Sequence, residues 1–168
     1  MPLETISVRL AIIDDFDILL NLNHDFRIEE SGYGRGSTYS SWINWPLTKD
    51  AKKYCTETIS TGNVIVGQIG DKLIGYLAFN PNCNVEGDLV EIESLFVNES
   101  YRRRGIGTNL VKYFMEIVQR NYKNIRGLTV KHFVSNEDSK KFYEKMGFYP
   151  DKIEMRCNLN INLEEHNS

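Results

Sequence analysis

The sequence predicts an α/β fold in which one mixed, mostly antiparallel sheet is layered with helices. Three observations carry this. A β-branched strand followed by a helical segment opens the chain, the middle alternates short strands with turns, and the second half runs strand, helix, strand, helix, strand. At 168 residues the chain has the size of one domain and can bury a core without disulfides or metal. No domain boundary interrupts it, so residues 1–163 read as a single domain and 164–168 as a disordered tail.

Ile6 to Ile13 reads as the first strand, stopped by Asp14-Asp15 as the cap of a helix reaching about Asn23. From His24 to Thr48 the pattern dissolves into Ser31-Gly32-Tyr33-Gly34-Arg35-Gly36-Ser37, then Tyr39, Trp42, Trp45 and Pro46, an aromatic loop. That stretch misses G-x-G-x-x-G because Ser37 fills the last position and no strand precedes it, so it reads as a flexible loop rather than a dinucleotide site. A second helix starts near Thr48-Lys49-Asp50. Strands follow at Asn63 to Ile69 and Lys72 to Phe79, joined by Gly70-Asp71 as a tight hairpin. After a turn at Asn80 to Gly87, Asp88 to Val97 is strand, Ile106 to Arg120 helix, Ile125 to Val134 strand, Glu137 to Met146 helix and Lys152 to Asn160 a last strand.

The net charge of −3 gives no reason to expect nucleic acid or an anionic membrane as partner. Cys55, Cys83 and Cys157 are odd in number and outside any C-x-x-C spacing, which speaks against a disulfide framework and a zinc site. His24, His132 and His166 are scattered without H-E-x-x-H, so no metal is expected. No basic, apolar leader and no run of eighteen apolar residues is present, so the expected location is the cytoplasm.

Chemistry concentrates where the strand Ser94-Leu95-Phe96-Val97 runs through Asn98 to Tyr101 into Arg102-Arg103-Arg104-Gly105-Ile106-Gly107-Thr108 and a helix. The first amides of a helix lack intrahelical partners and sit at the positive end of its dipole, so they welcome phosphate where the backbone can come close. Gly105 and Gly107 permit that approach. Three arginines before a helix start repel the dipole, a conflict that a bound polyanion reverses. The plainer reading is a solvated basic turn before an amphipathic helix whose stripe is Ile106, Leu110, Phe114, Ile117 and Val118.

R-x-x-G-x-G after a strand ending in L-F-V resembles the acyl-CoA pyrophosphate loop of the GNAT superfamily of acetyl-CoA-dependent N-acetyltransferases. About thirty residues on, Asn136-Glu137-Asp138-Ser139-Lys140-Lys141-Phe142-Tyr143-Glu144-Lys145-Met146-Gly147-Phe148 is similar to that family's N-x-x-A-x-x-F-Y-x-x-x-G-F, with Ser139 for the usual alanine. The two motifs cover the C-terminal half. The resemblance implies a GNAT-like fold and acetyl-CoA as co-substrate. It further implies that backbone groups of Leu95, Phe96 and Val97 pair with the pantetheine arm, and that Arg102, Arg103, Arg104, Gly105, Ile106, Gly107 and Thr108 hold the pyrophosphate. Asn136 would bond the pantetheine, and Tyr143 would protonate the departing thiolate. A phenol protonated at neutral pH suits that task, although a tyrosine beside Phe142 and Met146 also fits simple packing, and Asn136 is also a sound helix N-cap.

The base is left open. Strand periodicity puts Glu91, Glu93, Leu95 and Val97 on one face and Val90, Ile92 and Phe96 on the other, so two carboxylates point together. Either Glu93 or Glu91 is a candidate to deprotonate an acceptor ammonium, against the reading that both simply form a wet strand face. The acidic face and the aromatic loop favour a small-molecule amine as acceptor. A protein or peptide acetyltransferase and a non-catalytic acyl-CoA sensor are the alternatives. A homodimer is conceivable through the last strand, Ile153 to Leu159, as a pairing edge.

Overall fold

In a computed structural model, residues 5–34 and 43–156 are described. The strands are β1 (Ile6–Leu10), β2 (Val64–Ile69), β3 (Lys72–Asn80), β4 (Leu89–Val97) and β5 (Gly127–Val130); the helices are α1 (Phe16–Ser31), α2 (Lys49–Ser60), α3 (Ile106–Asn121) and α4 (Glu137–Lys145). They form one sheet in the order β1-β2-β3-β4-β5, antiparallel until β5, which runs parallel to β4. This is the mixed α/β sheet that the order of elements predicts.

Each face of the sheet buries its own cluster. On one side Ile65, Ile74, Leu77, Phe79, Val90 and Ile92 meet the stripe Ile106, Leu110, Val111, Phe114, Ile117 and Val118 of α3. That spacing of three and four residues is what a half-buried helix needs, and the Phe79 and Phe114 rings lie 5.1 Å apart. On the other side Val64, Val66, Leu73, Tyr76, Ala78 and Phe96 pack against Leu19 and Leu22 of α1 and Ile59 of α2. The groove described below opens on this second face.

Several expected boundaries are corrected. β1 ends at Leu10 rather than Ile13, and Ile12 and Ile13 are exposed. Asp15 does not cap α1 with its side chain. It turns back instead, accepting 2.7 and 2.9 Å bonds from the Arg9 guanidinium and a 2.9 Å bond from the Ile12 amide. α1 runs to Ser31, not Asn23, so the expected loop loses its first turns; Leu19, Leu22 and Phe26 keep the helical spacing and pack on the sheet past the polar His24. Residues 35–42 of that loop, with Ser37, Tyr39 and Trp42, lie outside the described residues. β5 is shorter than expected, Gly127–Val130 against Ile125 to Val134.

The last strand is also corrected: residues 152–156 form no strand, and Ile153 and Met155 are exposed. Period-two alternation makes a strand only where a neighbouring ladder satisfies the backbone, and these residues have no such ladder. The dimer edge expected from Ile153 to Leu159 therefore loses its described half. The rest of it, Cys157 and the tail 164–168 fall outside the described residues.

Candidate active site

The site begins with an irregularity in the central strand pair. Ala78 pairs with Ser94 but Phe79 pairs with Ile92, so Glu93 is an extra residue in β4. Such a bulge leaves one residue out of the ladder and bends the strand. It also reverses the faces. Before the bulge, Val90 and Ile92 point toward α3; after it, Leu95 and Val97 join that cluster while Ser94 and Phe96 face α1 and α2. The simple alternation expected of the strand is thus corrected: Glu91 and Glu93 do not share a face with Leu95 and Val97, nor Phe96 with Val90 and Ile92.

The pairing of β4 with β5 stops at the same level, with Ile92 opposite Val130. Residues 93–97 continue without a partner on that side among the described residues, so the two parallel strands part and leave a polar backbone edge open. The open edge leads directly to the glycine turn. The Asn98 amide bonds the Ile74 carbonyl at 2.8 Å and its side chain accepts from the Ser100 amide, fixing the exit from β4. Gly105, at φ +83°, is the N-cap of α3, and a left-handed residue there is cheap only for glycine. Gly107 lies beside the Phe142 ring, where a Cβ would make ordinary contact at 3.5 Å, so the first turn of α3 sits against α4. The first turn of α3 lies against the end of β4, a Cβ on Gly107 falling 4.0 Å from Val97 Cγ2, and its first amides have no intrahelical acceptors.

The arginines differ. Arg102 donates through Nε to the Val97 carbonyl at 2.7 Å, ion-pairs with Glu29 of α1 and stacks 5.6 Å from the Phe96 ring centre. It is a clamp between the end of β4 and the last turn of α1. Arg103 takes φ +62° and is exposed, as is Arg104, which lies 5.4 Å over the Tyr101 ring; the Lys72 ammonium donates to the Tyr101 hydroxyl at 2.9 Å. Ile106 is 1% exposed, so its side chain belongs to the core and only its amide reaches the turn. Thr108 is half-buried in the first turn of α3.

Asn136 caps α4, its Oδ1 accepting from the Ser139 amide at 3.0 Å. Two turns on, Tyr143 is buried between Phe142 and Phe148, with ring centres at 5.2 and 5.6 Å. Burial and, secondarily, the charge of Glu30 push its phenol well above the usual tyrosine range. The side chain therefore holds its proton at any physiological pH.

Tyr143 and Phe148 line a groove of about 2110 Å³, whose lining does not include Asn136 or the Arg102–Thr108 turn. Its α1–α2 wall presents Asn23, Phe26, Glu30, Trp45 and Tyr54, and its floor Tyr76, Glu93 and Ser94. Glu93 accepts a hydrogen bond from Tyr54, and the Tyr54 phenol is pushed well up, first by burial and then by that carboxylate. Glu91 also reaches the groove but is held by Lys131 at 2.8 Å. Burial pushes the Tyr76 phenol up to about 12; its oxygen takes a 2.8 Å bond from Asn23 Nδ2. Glu30, Tyr54, Tyr76 and Asn23 are absent from the sequence-derived site. The three-four spacing of Leu19, Asn23, Phe26 and Glu30 is the signal that could have found the α1 members.

Cys83 bonds the Leu89 carbonyl at 3.2 Å, and burial pushes the Cys55 thiol up to about 11, so neither thiol is set up as a nucleophile. Among the described residues no group of three or more His, Cys, Asp or Glu is arranged to hold a metal, and no helix is long and apolar enough to cross a membrane.

Residues 23–148 match the family model described as the Acetyltransferase (GNAT) family. The chain is 26% identical over 156 residues to an uncharacterized N-acetyltransferase of Methanocaldococcus jannaschii, an alignment covering 90% of this chain and 64% of that protein, so it spans less than two thirds of its relative's length. Among solved structures it resembles the PaiA N-acetyltransferase of Thermoplasma acidophilum in complex with coenzyme A, with TM-score 0.73, 19% identity, and 89% of this chain and 93% of that chain covered. It also resembles AAC(6')-Iy bound to the bisubstrate analogue CoA-S-monomethyl-acetylneamine, with TM-score 0.69, 14% identity, and 94% and 99% covered.

Proposed function

Since this chain belongs to the GNAT acetyltransferase family, we propose that it moves an acetyl group from acetyl-CoA to a primary amine of a small molecule by direct transfer in a ternary complex. The observation that carries the reading is the coincidence of three features at one place. The β4 edge at 93–97 is open beyond the bulge, the glycine-capped start of α3 lies at its end, and a buried, protonated tyrosine stands on the facing α4.

Acetyl-CoA supplies an activated acyl carbon and a thiolate leaving group. Backbone groups of Leu95, Phe96 and Val97 hold its pantetheine arm as an added strand would be held, and the amides of Gly105, Ile106, Gly107 and Thr108 receive the pyrophosphate. Arg103 and Arg104 extend into solvent beside that turn and add long-range attraction for the phosphates. Arg102 serves by fixing the loop rather than by direct contact. Asn136 has its Oδ1 engaged in the cap and offers Nδ2 to the pantetheine.

The Tyr143 phenol donates its proton to the departing sulfur. Its raised pKa keeps it protonated until the thiolate forms. A carboxylate in the groove takes the ammonium proton of the acceptor; of the two on β4, Glu93 is better placed than Glu91, which Lys131 neutralises. The aromatic and acidic wall of Phe26, Trp45, Tyr54 and Glu93 supports a small cationic amine. The aminoglycoside analogue held by the AAC(6')-Iy structure is of that kind.

The test is colorimetric thiol release from acetyl-CoA against polyamines, aminoglycosides, amino acids and short peptides, with Tyr143→Phe as control. Release with a small amine that drops about 100-fold in the variant supports the reading. Release with peptides alone moves the acceptor to proteins, and tight CoA binding without release on any amine makes the protein a sensor.

A further inference from the structure

Glu30 breaks two rules that ordinary surface glutamates obey. It stands in the last turn of α1, where the helix dipole is negative and cations are preferred, and it follows another acid, Glu29, directly. Sequence choices that oppose local preference without an evident structural gain point to function. Glu29 has its gain, the ion pair with Arg102. Glu30 makes no ion pair or side-chain hydrogen bond among the described residues, lines the groove and is half-buried.

Its surroundings give it a direction. The Arg102 clamp ties the last turn of α1 to the Val97 carbonyl at the end of β4. Glu30 lines the same groove as Tyr143 of α4 and Tyr76 of β3, and after burial its charge adds to what raises both phenols. The other charges it feels are Arg27 and Glu29 of its own helix. Burial, partly offset by Arg27 and reinforced by Glu29, holds its carboxyl above the usual carboxylate range. A carboxylate that is costly to keep ionised gains by accepting a proton, as a base must.

We propose that Glu30 is the acceptor-side base: it receives the ammonium of the incoming amine in the groove facing Tyr143 and takes its first proton. This rests on the acetyltransfer reading above and replaces Glu93 as the base, leaving Glu93 with Tyr54 as a cation-binding pair further along the wall. The freed amine attacks the acetyl carbon, forming the C–N bond. The C–S bond then breaks as the sulfur takes the Tyr143 proton, and the second proton on nitrogen restores Tyr143. Glu30 returns its proton to solvent, so one proton is released per turnover.

The test compares wild type, Glu30→Gln and Glu30→Asp in thiol release from acetyl-CoA to spermidine, kanamycin and tyramine, with pH profiles, CoA calorimetry and thermal melting. Glu30→Gln is expected to lower kcat/KM about 100-fold at neutral pH, with partial recovery as pH nears the pKa of the amine. CoA affinity should be unchanged and the melting temperature equal or higher, because an unfavourable charge leaves a helix end. Glu30→Asp should fall between. The proposal is overturned if Glu30→Gln keeps kcat/KM within about twofold with an unaltered profile. It is overturned equally if activity, CoA affinity and melting temperature fall together, which marks a structural role. Silence of the wild type with all three amines removes the acetyltransfer reading itself and this proposal with it.

Discussion

The Tyr54 hydroxyl donates to the Glu93 carboxylate, joining α2 to the bulge of β4. The bond ties the α1–α2 wall of the groove to the strand that defines the site. Tyr54→Phe removes the donor and is expected to cost about 1 kcal/mol, a drop of about 2–4 °C in melting temperature for a domain of this size. The KM for the amine should rise while CoA affinity holds. A variant that loses CoA affinity instead would place Tyr54 on the wrong side of the groove.

Gly105 tests the phosphate turn. A Cβ there meets nothing within 4 Å, so Gly105→Ala costs only the left-handed backbone, about 1–2 kcal/mol. Gly105→Glu adds a negative charge where the phosphates are received and is expected to weaken CoA binding by at least about 100-fold, read by calorimetry. Equal affinities in the two variants would separate the turn from the phosphates.

Much of this was legible in the sequence. The two motifs carried the loop and Tyr143 because each constrains backbone as well as side chain, through the glycine turn at Gly105 and the cap at Asn136. The bulge was not legible, since a period of two cannot register one extra residue, and Glu93 with Ser94 gives no compositional sign of it. The length of α1 is hidden in the sequence because the polar run Asn23, His24 and Asp25 interrupts the continuing spacing of Leu22 and Phe26. The strand at 152–156 failed for the opposite reason, as alternation of Ile153, Glu154, Met155 and Arg156 says nothing about whether a ladder partner exists.

Gly75 supports β4 from the far side. A Cβ at this position would come within 2.6 Å of the Phe96 carbonyl oxygen and 3.2 Å of Val97 Cα. Gly75→Ala must push β3 and β4 apart, at a cost of about 1–3 kcal/mol in denaturant unfolding. CoA affinity should fall with it, because the displaced residues are those assigned to the pantetheine arm.

Alkaline stability follows from two buried phenols, Tyr76 and Tyr143. Tyr76 and Tyr143 hold their protons more tightly folded than unfolded, Tyr76 up to about 12. Their contribution is complete below the unfolded tyrosine pKa near 10 and is lost as pH rises from there toward the folded values. Unfolding free energies from urea titrations should be flat just below pH 10 and then fall by about 1.4 kcal/mol per pH unit for each phenol still protonated in the fold. Midpoints unchanged up to pH 11 would contradict the burial of these hydroxyls.

The central claim is that the β4 edge beyond the bulge and the first turn of α3 receive CoA. Its most direct measurement is a CoA titration followed by backbone amide resonances. The amides of Leu95, Val97, Gly105, Gly107 and Thr108 are expected to shift together with one saturation curve, while those of β1 and the β2–β3 hairpin stay in place. Saturable binding that shifts other amides and leaves these five unmoved would contradict the account.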